Sequence, residues 1–165
     1  MAGWTALPKT LKATDPVAFI ATWFGSGLLP KAPGTWGTIA ALPPAYVIAL
    51  TGGSYSLLLT AAFAFFIGTW AAEQYARACG KPDPSEVVID EVAAIWLVLA
   101  FVPLSLIGWS VAFIAFRFFD IVKLWPVSLA DTKLKGGFGI MFDDIIAAGY
   151  AILVIQFLQY LVEAF

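Results

Sequence analysis

The strongest constraint on this sequence is that it contains long segments without a single charged residue. No charge occurs from Ala32 to Ala72, and none from Val92 to Phe116. A helix needs about 20 mostly apolar residues to cross the hydrocarbon core of a bilayer, so both segments are long enough. Hydrophobic residues make up 61% and charged residues 12% of the 165 residues, against about 45–50% and about 25% in soluble domains. The sequence therefore predicts a single-domain integral membrane protein.

Breaks within the apolar segments predict an all-α bundle. The segment Ala32–Ala72 is interrupted by Thr-Gly-Gly-Ser at 51–54, which is typical of a tight turn between two helices. We predict the last spanning helix at about 142–162. The apolar piece Val17–Phe24 is too short to cross a bilayer and is predicted to be interfacial or re-entrant. Residues 1–15 lack the pattern of a removable signal peptide and are expected to be flexible or interfacial.

The segment Val92–Phe116 is ambiguous because Pro103 lies inside it. Its length fits either one tilted span or two short ones. We favour a hairpin, with a helix at about 85–102, a turn at 103–108 and a return helix that ends near Leu124. The bundle then has about five spanning helices.

The distribution of basic residues supports the hairpin. With five spans and a cytoplasmic N-terminus, every Lys and Arg falls on the cytoplasmic side, as the positive-inside rule requires. The opposite turns, 51–56 and 103–108, carry none. A single span at Val92–Phe116 would place residues 117–135 on the other face and break this pattern. The nine basic residues are Lys9, Lys12, Lys31, Arg77, Lys81, Arg117, Lys123, Lys133 and Lys135.

Two acidic pairs, Asp90-Glu91 and Asp143-Asp144, adjoin apolar segments. Carboxylates there are costly to place, and hard cations such as Mg²⁺ prefer oxygen ligands. We therefore predict a Mg²⁺ site that draws on both pairs, although a helix dipole alone also favours acids at a helix N-terminus. Adjacent residues of a helix point about 100° apart, so one acid of the second pair is expected to bind the ion and the other to bind through water or act as the base. Glu73 either completes the site or lies at the water edge.

A glycine- and proline-rich loop, 25–38, leads into the first spanning helix. Its backbone N–H groups, the hydroxyls of Thr35 and Thr38 and the charge of Lys31 suit a phosphate. A tight interfacial turn is the alternative interpretation. A second glycine-rich segment, the predicted turn 136–139, directly precedes the acidic pair of the last helix.

Arg117, Asp120 and Lys123 form a further polar cluster. At i, i+3 spacing Arg117 and Asp120 share one face of a helix, and Arg can clamp a phosphate through two parallel hydrogen bonds. Asp120 either orients Arg117 or binds the metal. The alternative is an internal ion pair with a lysine that reaches to the membrane surface.

The composition excludes several function classes. The chain has no His and one Cys, which excludes phosphohistidine mechanisms and intramolecular disulfides. It has no basic patch that would bind nucleic acid.

Together these motifs resemble bacterial phosphatidylglycerophosphatase A. The resemblance covers about residues 20–150 and departs from the family at Leu124, where Pro is common, and at Ala94 and Ala148, where Gly is expected. It rests on the loop 25–37, Asp90-Glu91, the segment Phe116–Lys123, and Gly136–Gly139 with Asp143-Asp144.

The resemblance implies an Mg²⁺-dependent phosphatase of the bacterial inner membrane that converts phosphatidylglycerophosphate to phosphatidylglycerol and inorganic phosphate. We expect the metal to be held by some of Asp90, Glu91, Asp120, Asp143 and Asp144. Direct attack of water and an aspartyl-phosphate intermediate stay open. The alternatives are a phosphatase or phosphotransferase for another lipid phosphate, a small cation transporter, or a non-catalytic scaffold. Catalytic roles are expected for Asp143, Asp144, Arg117 and Lys123, and phosphate binding for Lys31, Thr35, Thr38 and Arg117.

Overall fold

The protein is all-helical, as predicted. The computed structural model describes residues 5–164, apart from the side chain of Asp131. A short 3-10 helix, Ser26–Leu28, follows the first α-helix. In chain order, the α-helices of the described residues are α1 (Pro16–Ala21), α2 (Pro33–Cys79), α3 (Ile89–Leu99), α4 (Leu106–Val122), α5 (Val127–Lys133) and α6 (Gly136–Ala164).

Helix α2 is two helices joined at Gly53. A straight helix of its 47 residues would be about 70 Å long, more than twice the hydrocarbon thickness. Gly53 has φ 66° and ψ −167°, a conformation that is readily accessible only to glycine. Both ends of α2 reach the same end of the bundle, since Gly34 lines the cavity described below and Glu73 binds the start of α6. The turn predicted at 51–54 is therefore confirmed.

Among the residues that the structure describes, two helices, α2 and α6, are long and apolar enough to cross a membrane by length and composition. This is fewer than the five spans predicted, because α2 folds back on itself and because α3 and α4 have only 11 and 17 residues. The predicted helix at 85–102 was too long at both ends. Val88 has a non-helical backbone, with φ −138° and ψ 7°, and its N–H donates to Ala21 O at the end of α1 at 2.9 Å. Helix α3 therefore begins only at Ile89. Most side chains of α3 are buried, and it packs between α2, α4 and α6.

The start of α6 also differs from the prediction. Residues 136–139 form its first turn rather than a loop, so the helix begins earlier than the predicted residue 142. The reason is a distant cap, because Glu73 Oε2 accepts a hydrogen bond from Gly137 N at 2.6 Å. The other oxygen of Glu73 pairs with Arg77 at 2.8 Å. A carboxylate at a helix N-terminus satisfies a free N–H group and complements the helix dipole.

We expect Glu73→Ala to lower the free energy of unfolding by about 1 kcal/mol, as the loss of a helix N-cap does. Arg77→Ala is the matched control, because it removes an exposed ion pair of about 0.3–0.5 kcal/mol and leaves the bond to Gly137 intact. Thermal unfolding of both variants in detergent measures the difference. Equal losses in the two variants would contradict the capping role.

The two turns that lack basic residues lie at one end of the bundle. Gly53 and Ser54 of α2 and the connection 100–104 line a common cavity of about 500 Å³ with the C-terminal part of α6. Gln156 Nε2 donates to Phe101 O there at 2.7 Å. The acids of α6 lie toward the other end of the same helix, about 20 Å away by helical rise.

The N-terminal segment packs on the bundle. Thr5 N–H donates to Leu28 O at 2.9 Å, and Leu7 and Leu11 pack against the core. Residues 1–4 of the segment predicted to be flexible or interfacial lie outside the described residues. The apolar piece predicted at 17–24 contains all of the short helix α1 except its first residue, Pro16.

Candidate active site

One cavity of about 650 Å³ gathers most of the predicted site residues. Its wall is formed by the N-terminal ends of α2, α3 and α6, the C-terminal end of α4, and the connections between α2 and α3 and between α5 and α6. Helix N-termini concentrate backbone N–H groups and positive potential, which suits both carboxylates and a phosphate. The charged residues that line the cavity are Asp83, Asp90, Glu91, Arg117, Asp120, Lys123, Lys135, Asp143 and Asp144.

Three carboxylates form a cluster at this cavity. Asp90 and Glu91 lie in the first turn of α3 and Asp144 in the third turn of α6, and one oxygen from each lies within 4.8 Å of the others. The close packing of α3 on α6 brings them together. Asp144 is only 4% exposed. We define these three residues as the carboxylate cluster.

The carboxylate cluster fits a hard divalent cation. Glu91 Oε2 and Asp144 Oδ2 are buried and accept no hydrogen bond from the described residues. Buried carboxylate oxygens without donors are costly, and a cation bound to oxygen ligands would relieve that cost. The donor set contains oxygen only, which suits Mg²⁺ better than the softer transition metals.

Arg117 connects the carboxylate cluster to α4. Its Nη1 atom lies 2.6 Å from Asp120 Oδ2 and 3.6 Å from Glu91 Oε1. All three side chains are 12–13% exposed, so the charges are largely removed from water and compensate one another. Asp120 thus pairs with Arg117 and is not part of the carboxylate cluster; its role as a metal ligand stays a prediction.

Lys123 and Asp143 form a second ion pair, with Nζ and Oδ2 2.9 Å apart. Asp143 is 8% exposed and Lys123 is 33% exposed in their side chains, so the ammonium group reaches the carboxylate from the open side. Asp143 and Asp144 therefore face different partners, as their spacing on a helix requires. Asp144 joins the carboxylate cluster, whereas Asp143 faces a cation.

Gly34 allows the N-terminus of α2 to pack closely against Glu91 and Arg117. A Cβ atom there would overlap Glu91 Oε1 and would lie 3.1 Å from Arg117 Nη1. The N-terminus of α2 can approach these two side chains only because residue 34 has no side chain.

The structure does not bring the predicted phosphate loop fully into the cavity. Ala32, Pro33 and Gly34 line it, but Lys31, Thr35 and Thr38 are not part of its wall. Thr38 is buried, and its hydroxyl donates to Gly34 O at 2.8 Å within its own helix. A phosphate role for these three side chains has no geometric support from the cavity.

Three other residues bear on the predicted site. Lys135 lines the cavity, although sequence reasoning assigned it no role; its position directly before the glycine-rich segment was the available signal. Glu73 does not join the carboxylate cluster and instead caps α6. Glu86 is 8% exposed and lies outside the cavity wall.

Comparisons with known proteins agree with the resemblance. A family model described as Phosphatidylglycerophosphatase A matches residues 19–159. The chain is 37% identical over 153 residues to phosphatidylglycerophosphatase A of Haemophilus influenzae, covering 92% of this chain and 94% of that one. It is 38% identical over 139 residues to phosphatidylglycerophosphatase A of Escherichia coli, covering 83% and 80%.

A third relative carries a different name. The chain is 37% identical over 155 residues to a putative phosphatidylinositol-3-phosphatase of Bacteroides thetaiotaomicron, covering 87% of this chain and 93% of that one. No solved structure matches the chain significantly. The extent of the family match and of the alignments to the two phosphatidylglycerophosphatases shows that this chain belongs to the phosphatidylglycerophosphatase A family.

Proposed function

We propose that this protein hydrolyses phosphatidylglycerophosphate to phosphatidylglycerol and inorganic phosphate in a reaction that depends on Mg²⁺. The observation that carries the proposal is that the carboxylate cluster, Arg117 and Lys123 meet at one cavity. The family membership supports the substrate, since two relatives are named for this reaction.

Asp90, Glu91 and Asp144 would hold the metal. When bound, the ion would neutralise negative charge on the phosphate and orient a water molecule. The members of the carboxylate cluster come from two helices, α3 and α6, whose packing sets the spacing of the ligand oxygens.

Arg117 and Lys123 would stabilise the phosphate oxygens. Their positive charges already line the cavity, paired with Asp120 and Asp143, so both cations are in place before the phosphate binds. Asp143 lies outside the carboxylate cluster and is half of a pair that the incoming phosphate can open. We assign it the role of accepting the proton of the attacking water.

The membrane arrangement is proposed to be five crossings, with the N-terminus and the active site facing the cytoplasm. The halves of α2 give two crossings, α3 and α4 form a short hairpin, and α6 gives the last. The two turns that lack basic residues both lie at the end of the bundle opposite the active site. This distribution supports the arrangement, because basic residues concentrate on the cytoplasmic side of membrane proteins. The acyl chains of the substrate would stay in the bilayer while the headgroup enters the cavity.

A second candidate is a phosphatase for another lipid phosphate. The relative named putative phosphatidylinositol-3-phosphatase favours it, because that protein matches this chain at similar identity and coverage. Both candidates use the same carboxylate cluster, so only a comparison of substrates separates them.

The test is phosphate release from phosphatidylglycerophosphate and from phosphatidylinositol 3-phosphate by protein purified in detergent. We expect release from phosphatidylglycerophosphate that stops with excess EDTA and returns with Mg²⁺. Faster release from phosphatidylinositol 3-phosphate would favour the second candidate. Release that persists in EDTA would contradict the metal dependence.

Gly34→Ala is expected to reduce turnover about a hundredfold, because a displacement of about 1 Å in a catalytic group has effects of this size. The added methyl group would push Glu91 out of the carboxylate cluster. Gly149→Ala is the matched control, since a Cβ atom there meets no atom within 4 Å. Initial rates at saturating Mg²⁺ measure the effect, and a Gly34→Ala rate near the control would contradict it.

A further inference from the structure

Lys135 lies on the wall of the active-site cavity and has no role in the proposed hydrolysis. It stands in the short connection between α5 and α6. Its backbone position is fixed from one side by the bond from Gly137 N to Glu73 and from the other by the bond from Leu134 N to Ala130 O at 2.9 Å. The side chain is exposed. A lysine with an anchored backbone and an exposed side chain is a suitable ligand for an anion.

Lys135 differs in its ion pairing from the other two cations of the cavity wall. Arg117 and Lys123, the other two cations of the wall, are each paired with a carboxylate of the same wall. Lys135 makes no ion pair within 4.0 Å with any side chain that the structure describes. Among the three cations of the cavity wall, Lys135 is therefore the one that has no described carboxylate as an ion-pair partner.

A partly exposed aromatic surface begins three residues after Lys135. Phe138, one helical turn away, is 48% exposed. Its ring stacks on Phe142, with centroids 5.1 Å apart, and meets the edge of Phe65 at 5.9 Å. In a membrane protein such a surface suits acyl chains. Lys135 therefore lies on the wall of the cavity that holds the carboxylate cluster and, in the chain, three residues before this apolar surface begins.

This order matches the order of groups in a lipid that carries two phosphates. In phosphatidylglycerophosphate and in phosphatidylinositol 3-phosphate, a phosphodiester joins the diacylglycerol to a polyol, and the polyol carries the terminal monoester. We propose that Lys135 binds the phosphodiester, and so selects lipids with a second phosphate. This inference rests on the proposed function, which places the monoester at the carboxylate cluster.

The test compares Lys135→Ala with the wild-type protein on three lipids in mixed micelles: phosphatidylglycerophosphate, phosphatidylinositol 3-phosphate, and phosphatidic acid, which has a monoester but no phosphodiester. We expect kcat/KM for the preferred two-phosphate lipid to fall about tenfold, the scale of one hydrogen bond to a charged group. The rate with phosphatidic acid should stay unchanged. Lys135→Arg, which keeps the charge, should restore most of the lost activity.

Lys133→Ala is the matched control. Lys133 is exposed and two residues away, but it is not part of the cavity wall, so its removal should leave the ratio of rates between lipids unchanged. An equal fall for phosphatidic acid and the two-phosphate lipids in Lys135→Ala would overturn the proposal, as would no fall at all. If the wild-type protein prefers phosphatidylinositol 3-phosphate, the proposed substrate is refuted. The phosphodiester site is still supported in that case if Lys135→Ala lowers the rate with phosphatidylinositol 3-phosphate and leaves the rate with phosphatidic acid unchanged.

Discussion

Asp144→Asn is expected to lower the turnover of phosphate release by more than about a hundredfold, the scale of losing a preorganised charge at a reacting centre. The substitution keeps the shape of the side chain and removes the negative charge that a cation requires. Asp90→Asn and Asp143→Asn are expected to have losses of similar size, the first through the carboxylate cluster and the second through the pair with Lys123. Single-turnover and steady-state phosphate release measure all three.

Asp83→Asn provides the control for these substitutions. Asp83 lines the same cavity and is exposed, but it lies outside the carboxylate cluster. The turnover of the Asp83→Asn variant should stay close to that of the wild-type protein. Near-normal activity of both Asp90→Asn and Asp144→Asn, in folded protein, would contradict the assignment of the metal ligands.

Arg117→Leu is expected to reduce both activity and stability. Its removal leaves Asp120 and Glu91 buried without their cation, and breaking a buried pair in this way typically costs about 3–5 kcal/mol. Turnover should also fall by at least about a hundredfold, because the guanidinium would stabilise the phosphate. Thermal unfolding in detergent and phosphate release measure the two effects separately.

A double substitution separates the two roles of Arg117. Arg117→Leu with Asp120→Leu replaces the closest pair by apolar side chains, and such replacements are often neutral for stability. The double variant is expected to recover much of the lost stability and none of the lost activity. Recovery of activity together with stability would show that Arg117 acts only through the fold.

Local sequence patterns predicted the helix boundaries that depend only on neighbouring residues. The break at 51–54 was predictable because Gly53 can adopt a backbone conformation that other residues avoid. The start of α3 was not predictable, because Val88 takes a non-helical conformation in which its N–H binds Ala21, far away in the chain. The first turn of α6 was missed for the same reason, since its cap, Glu73, is 64 residues away in the chain.

Most residues of the candidate site could be predicted from the sequence, but which of their side chains face one another could not. The two acidic pairs are visible because charges next to apolar segments are rare. Which of them face one another depends on how α3 packs on α6. The structure places Asp90, Glu91 and Asp144 together and gives Asp120 and Asp143 cationic partners. Lys31, Thr35 and Thr38 were grouped with the site because they are neighbours in sequence, whereas the fold places none of their side chains on the cavity wall.

We expect the carboxylate cluster to bind a divalent cation, and this binding can be measured in the absence of turnover. Mn²⁺ accepts the same oxygen ligands as Mg²⁺ and is detected by electron paramagnetic resonance. Titration of the purified protein should show saturable binding that Mg²⁺ competes away and that Asp144→Asn weakens by about a hundredfold or more, while Asp83→Asn binds like the wild-type protein. Absence of saturable binding to the wild-type protein, or equal binding by Asp144→Asn, would contradict the claim.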